Sequence, residues 1–343
     1  MQLCMGSITR SLNACGYELG NLTLVADAQP GNCFCGPSLE KTPESPLSNL
    51  SVAKQALLKL MVAMLAIVGS VQVFRHLFLP AIQTLFETSE STTSFIRRMG
   101  IFLAVLFAYW AYVRLYEKRA ATELRFSPAA IALGAASGAL LISITTVSLF
   151  ALGVYELTTY RGMHSQLWGV AGLILVAAFL EEVVYRGVLF RILEDAWGTS
   201  VALWLQALVF AAMHLGNAPA SNSELLTTMV AGTLIGAFWA CLYVQTRSLW
   251  VVTANHAAWN FAIILSGVPL SGIEDWRALA PIESRYNGPG WLTGGVFGPE
   301  DSIITLAVIS LSVAGLLRWS RKTKRLVAAR PTRAPAPEPS CPT

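Results

Sequence analysis

The sequence predicts an all-α fold, a polytopic membrane helix bundle with about eight transmembrane helices around a polar cavity. Three observations predict it. Of 343 residues, 54% are hydrophobic and only 13% are charged, where a soluble domain carries about 25% charged residues. The apolar residues fall in long runs and the charges gather between them. Short alternating segments, the mark of a membrane β-barrel, are weak.

The elements follow in order. Residues 1–50 read as a polar, mostly disordered tail without an apolar core of signal-peptide length. Its Cys4, Cys15, Cys33 and Cys35 read as free thiols, because no CxxC meets a second CxxC. A transmembrane domain follows over 51–320. Windows of about 20 residues place the spans at 55–79, 99–117, 127–154, 166–190, 199–217, 225–245, 248–267 and 302–319. Lys54, Lys59, Arg75 and His76 crowd the first of them. No internal repeat is visible. Residues 321–343 form a basic, Pro-rich tail.

The net charge of +4 is modest. The basic cluster Arg318, Arg321, Lys322, Lys324, Arg325, Arg330 and Arg333 reads as a topology signal, with the lipid bilayer as partner and no nucleic acid. An even number of spans puts both termini on one side, and this cluster makes that side cytoplasmic. Inner loops then hold Arg114, Lys118, Arg119, Arg125, Arg191 and Arg247; Arg97 and Arg98 fall outside and count against the assignment. The outer loop 268–301 contains Trp276, Trp291, Gly294-Gly295 and Gly298-Pro299-Glu300-Asp301. It reads either as a lid over a site or as a surface connector with interface anchors.

The most informative feature is Glu181-Glu182-Val183-Val184-Tyr185-Arg186, two adjacent carboxylates inside an apolar helix. Charge at that depth costs on the order of 2.5–3.5 kcal/mol per group, so the pair needs a reason. Glu182 and Arg186 are i,i+4 and share a helix face. Glu181 lies about 100° around the helix and lacks that partner. This spacing predicts a division of labour, with Glu182 braced by Arg186 and Glu181 facing a cavity as an acid–base group. Two of the four histidines also lie in apolar spans, His214 in the fifth and His256 in the seventh. His256 and Asn260 are again i,i+4. At about 1.5 Å per residue, Glu181, His214, His256 and Asn260 lie roughly 14, 22, 12 and 18 Å from the inner boundary, one layer within the error of the span ends.

These groups suit hydrolysis. A Glu takes a proton from water, while His and Asn donate to an oxyanion. The same set also suits Zn²⁺, with Glu181, His214 and His256 as ligands and water in the open position. No H-E-x-x-H helix is present, nor a Gly-x-Ser-Gly or Gly-x-Gly-Asp motif. A non-catalytic scaffold or a proton-coupled transporter would use the same polar residues differently, and the absence of repeats counts against the transporter.

Glu181-Glu182-x-x-x-Arg186, Phe210-x-x-x-His214, and Ser248-Leu249-Trp250 leading to His256-x-x-x-Asn260 together resemble the CAAX-protease and bacteriocin-processing superfamily of intramembrane endopeptidases. The resemblance covers residues 165–265. It implies a helical bundle around a conical cavity and hydrolysis of a peptide bond in a membrane-associated polypeptide, without a cofactor in the glutamate mechanism. Glu181 would activate water, His214 would orient it, and His256 and Asn260 would stabilise the oxyanion, with Glu182 and Arg186 in support. A zinc-dependent version and a non-catalytic immunity protein of the same fold are the alternatives that the resemblance leaves open. The Gly-rich segment from Trp291 to Glu300 resembles a loop of bacterial members, which implies a bacterial inner membrane.

Overall fold

A computed structural model describes residues 46–217, 221–273 and 276–329. The expectations for the N-terminal tail with its four cysteines, apart from residues 46–50, and for residues 330–343 lie outside the described residues. The described residues from Pro46 onward form an all-α bundle. Helix α1 (Pro46–Val73) runs through a π-helical turn, Phe74–Phe78, into α2 (Leu79–Phe86). Helices α3 (Glu90–Ala111), α4 (Pro128–Ala151), α5 (Gln166–Glu182), α6 (Arg191–His214), α7 (Asn222–Thr246) and α8 (Leu249–Leu265) follow. The short α9 (Gly290–Thr293) and the final α10 (Ile303–Lys322) complete the series.

Six helical stretches among the described residues are long and apolar enough to cross a membrane by length and composition. This differs from the eight expected spans for two physical reasons. The fourth and fifth spans form one helical stretch, Gln166–His214, of 49 residues. Gly198, whose φ of 81° and ψ of 169° no helix contains, divides this stretch into two helices, so the fourth and fifth expected spans are separate helices that run together in the count. The seventh span, α8, has only 17 residues, about 26 Å at 1.5 Å per residue and short of a hydrocarbon core of about 30 Å. Large apolar side chains such as Leu65, Phe107, Leu133 and Leu311 point outward, as expected of a surface solvated by lipid.

Sequence explains the helix ends and the close packing. Ser221 and Glu224 form a capping box at the start of α7, and Ser248 and Ser302 cap α8 and α10. Small residues line the tightest helix pairs. Gly232 and Gly236 of α7 lie against Ala211 and Ala207 of α6, the small-on-small contact that lets backbones approach within a membrane. At Gly138 of α4 an added Cβ would stand 2.1 Å from the Asn255 carbonyl oxygen on α8. Gly138→Val is therefore expected to destabilise the bundle by about 1–3 kcal/mol, the usual cost of overpacking. A lowered midpoint of thermal unfolding in detergent checks this.

The two ends of the bundle differ. One end gathers the loops expected on the inner side. Arg191 bonds Glu117 at 2.6 Å, Arg119 bonds Glu123 at 2.6 Å, and Arg247 bonds Glu194 at 2.5 Å. Burial pushes the Glu123 carboxyl up, but its bonds from Arg119 and Tyr109 outweigh this and hold it at about 2. Residues beyond α10 close the same end. Arg325 donates to the Gln245 carbonyl, and the Val327 amide donates to Thr199 Oγ1 at 2.8 Å. At the other end, β1 (Tyr155–Tyr160) pairs antiparallel with β2 (Ile282–Tyr286), Tyr155 opposite Tyr286 and Tyr160 opposite Ile282. The loop between α8 and α10 is thereby tied to the chain between α4 and α5.

Candidate active site

Glu181 and Glu182 end α5, and a π-helical segment, Val183–Phe190, continues it toward Arg191. Such segments often sit at functional sites. The expected split of the two carboxylates is present. Arg186 Nη1 lies 3.0 Å from Glu182 Oε1, and both side chains are fully buried. The Arg186 guanidinium also donates to the Gly236 carbonyl at 2.8 Å and lies 5.2 Å from the Phe210 ring and 5.5 Å from the Trp239 ring. Glu181 keeps 29% of its side chain exposed and lines a cavity of about 290 Å³.

That cavity also receives His214, His256 and Asn260. The common layer inferred from helix rise thus corresponds to one cavity between α5, α6, α7 and α8. His214 Nδ1 lies 2.7 Å from the Phe210 carbonyl oxygen. A carbonyl only accepts, so Nδ1 carries the proton and Nε2 is left as an acceptor. His256 stands between the two carboxylates. Its Nδ1 is 2.8 Å from Glu182 Oε1, and its Nε2 is 3.9 Å from Glu181 Oε2, too far for a direct hydrogen bond. Glu181 Oε2, Glu182 Oε2 and Asn260 Oδ1 are buried atoms without a hydrogen-bond partner among the described residues.

One expectation needs enlarging. Glu182 braces Arg186 but also holds His256, a contact between residues 74 positions apart that no helical spacing announces. The zinc reading finds no support in the donor set: among the described residues, no group of three His, Cys, Asp or Glu side chains stands ready to hold a metal ion. Glu181, His214 and His256 share the cavity without forming such a group, so no step is derived through a metal.

The loop from 268 to 301 does more than connect spans. Ser271, Trp276, Phe297, Glu300 and Asp301 form part of the cavity wall. Trp259 Nε1 donates to Glu300 Oε1 at 3.0 Å, and Ser271 Oγ donates to Glu300 Oε2. Thr228 Oγ1 donates to Asp301 Oδ2. The turn that presents both acids depends on Gly298. Its φ is 90°, and a Cβ there would meet the Pro269 carbonyl oxygen at 2.0 Å. Two adjacent acids just before an apolar span give the signal already used for Glu181 and Glu182; it applied here as well.

Burial pushes the Asp301 carboxyl up to about 7, Glu300 and Glu224 add to the rise, and the Thr228 bond opposes it. The folded value lies above the ordinary 3.8, so the folded protein holds the extra proton between about pH 4 and pH 7. Stability from this group is present below that window and is lost as pH rises through it. The midpoint of thermal unfolding in detergent is expected to fall across that range in the wild type and to fall less in Asp301→Asn.

Residues 163–262 match the family model for type II CAAX prenyl endopeptidase Rce1-like proteins. Over this segment the chain is similar to the CAAX-protease family. No curated protein matches the chain. The family segment contains Glu181, Glu182, Arg186, His214, His256 and Asn260 and ends before the cavity-lining acids Glu300 and Asp301. The matched model is one of endopeptidases, and the match agrees with the apolar, multi-pass architecture of the chain.

Proposed function

We propose that the chain is a glutamate-type intramembrane endopeptidase with Glu181 as the group that activates water. The observation that carries this reading is the convergence of Glu181, His214, His256 and Asn260 on one cavity, with Glu181 alone of the two carboxylates free of Arg186. The substrate carbonyl sits beside Glu181. Water is held between the Glu181 carboxylate and Nε2 of His214, an acceptor because Nδ1 is committed to the Phe210 carbonyl. Glu181 takes one water proton as the oxygen bonds to the carbonyl carbon. The oxyanion that forms accepts hydrogen bonds from Asn260 Nδ2 and from His256. Because His256 gives Nδ1–H to Glu182, its donor to the oxyanion is Nε2–H of the imidazolium form, flanked by carboxylates on both sides. Glu181 then returns the proton to the leaving nitrogen, the C–N bond breaks, and the acid's remaining proton passes to the amine, so that a carboxylate and an ammonium leave.

The end of the bundle that carries Arg191, Arg247 and Arg325 is assigned to the cytoplasm by its basic loops, with both termini there and a bacterial inner membrane as the site. Two probes test the activity: a quenched fluorogenic peptide with a farnesylated C-terminal CAAX sequence, and its unlipidated form. Newly formed peptide termini are compared in membranes with wild-type protein and with Glu181→Gln. Termini that depend on Glu181 support the reading; termini that persist in the variant overturn it. Hydrolysis is expected to survive 1,10-phenanthroline and EDTA, and complete loss restored by Zn²⁺ would replace the glutamate route with the metal one.

A further inference from the structure

His256 is held in two directions, and only one of them comes from a carboxylate. Glu182 takes Nδ1 and sets the ring's rotation in its own plane. The tilt of the ring is set by Trp239. The indole of this α7 residue stacks on the imidazole with centroids 3.7 Å apart and 24° between planes. Trp239 is 1% exposed, so the stack is dry.

The indole is itself fixed by the residue beside His256. Asn255 Oδ1 accepts from Trp239 Nε1 at 2.9 Å. Asn255 is fully buried, and its amide is fully committed. Nδ2 donates to the Gly134 carbonyl at 3.1 Å and to Ser137 Oγ at 3.0 Å, both on α4. These two bonds determine which way the amide points, so the oxygen must face the indole. Gly138 lets the Asn255 backbone approach α4 closely enough for the bonds to form. Helix α4 contributes no residue to the cavity wall. It still reaches the site through Asn255 and Trp239.

We infer that Trp239, locked by Asn255 against α4, is a positioning residue that sets the plane of His256 and so aims Nε2 at the reacting carbonyl. The proposal rests on the peptidase reading for its kinetic consequence, but not for its structural one. A ring face over an imidazolium also attracts its charge, so the stack suits the form that donates to an oxyanion. Displacing a reacting group by about 1 Å costs on the order of 10²-fold in rate.

The test uses full-length protein in detergent micelles, labelled with ¹⁵N-histidine; the chain has four histidines. His256 is expected to show protonated Nδ1, with ring protons shifted upfield by the indole face. Trp239→Phe keeps a ring but loses the bond to Asn255, and should reduce the upfield shift. Trp239→Leu and Asn255→Leu should abolish it, each with Glu182 still bonded to Nδ1. Hydrolysis of the two fluorogenic probes should fall in kcat by about tenfold in Trp239→Phe and on the order of 10²-fold in the leucine variants, with KM little changed. Thermal unfolding separates this from loss of fold, and Trp239→Phe serves where a leucine variant does not fold. An unshifted His256 in the wild type, or a Trp239→Phe protein with wild-type shift and kcat, overturns the proposal. If the wild type cuts neither probe, the peptidase reading fails, while the histidine spectra still decide the positioning.

Discussion

Glu181→Gln is expected to lower hydrolysis by about 10²–10⁴-fold, the usual contribution of a positioned acid–base group, while leaving the fold intact. The amide matches the carboxylate in shape but cannot take the water proton. Glu181 is partly exposed to the cavity and makes no bond to Arg186, and its approach to His256 is 3.9 Å. Little stability is therefore tied to its charge, and the change in unfolding free energy should stay within about 0.5 kcal/mol. Measuring probe hydrolysis and the thermal midpoint on the same sample separates the two effects. A variant that folds and cuts at the wild-type rate would remove Glu181 from the mechanism and leave a binding function for the cavity. Glu182→Gln makes the control. It touches the neighbouring carboxylate but should act mainly through the positions of Arg186 and His256.

The helices were legible in the sequence wherever an apolar run was long and its neighbours were charged. The layer shared by Glu181, His214, His256 and Asn260 was legible too, because helix rise converts sequence position into depth. What escaped depends on contacts between distant segments. The β1–β2 pairing joins chain on either side of four helices. Glu300 and Asp301 reach the cavity only because Gly298 turns the backbone back against Pro269. His256 finds Glu182, and Asn255 finds Gly134 and Ser137, across helix interfaces that periodicity does not specify. The hydropathy windows at 166–190 and 199–217 fall on either side of Gly198, whose non-helical backbone divides the long stretch.

Arg186→Leu is expected to cost about 3–5 kcal/mol, the penalty for leaving one member of a buried ion pair without its partner. The cost falls on Glu182 rather than on the other hydrogen-bond acceptor of Arg186. The Gly236 carbonyl keeps a donor in Gln206 Nε2 at 3.0 Å, so it remains satisfied. Glu182 is fully buried and, among the described residues, retains His256 as its remaining polar partner. The variant should unfold at a lower temperature in detergent and yield less inserted protein. Arg186→Lys should recover only part of the loss, because a point charge cannot reach Glu182 and the Gly236 carbonyl with the guanidinium fork. The informative case is the double variant Glu182→Gln/Arg186→Leu. It removes both charges, yet the Gln oxygen still accepts from His256 Nδ1. Stability should return toward the wild type, as buried pairs replaced together often are. Its hydrolysis rate then isolates what the Glu182 charge does for His256. A rate near that of the wild type assigns Glu182 to geometry alone. A folded but slow double variant assigns it to holding the imidazolium that faces the oxyanion.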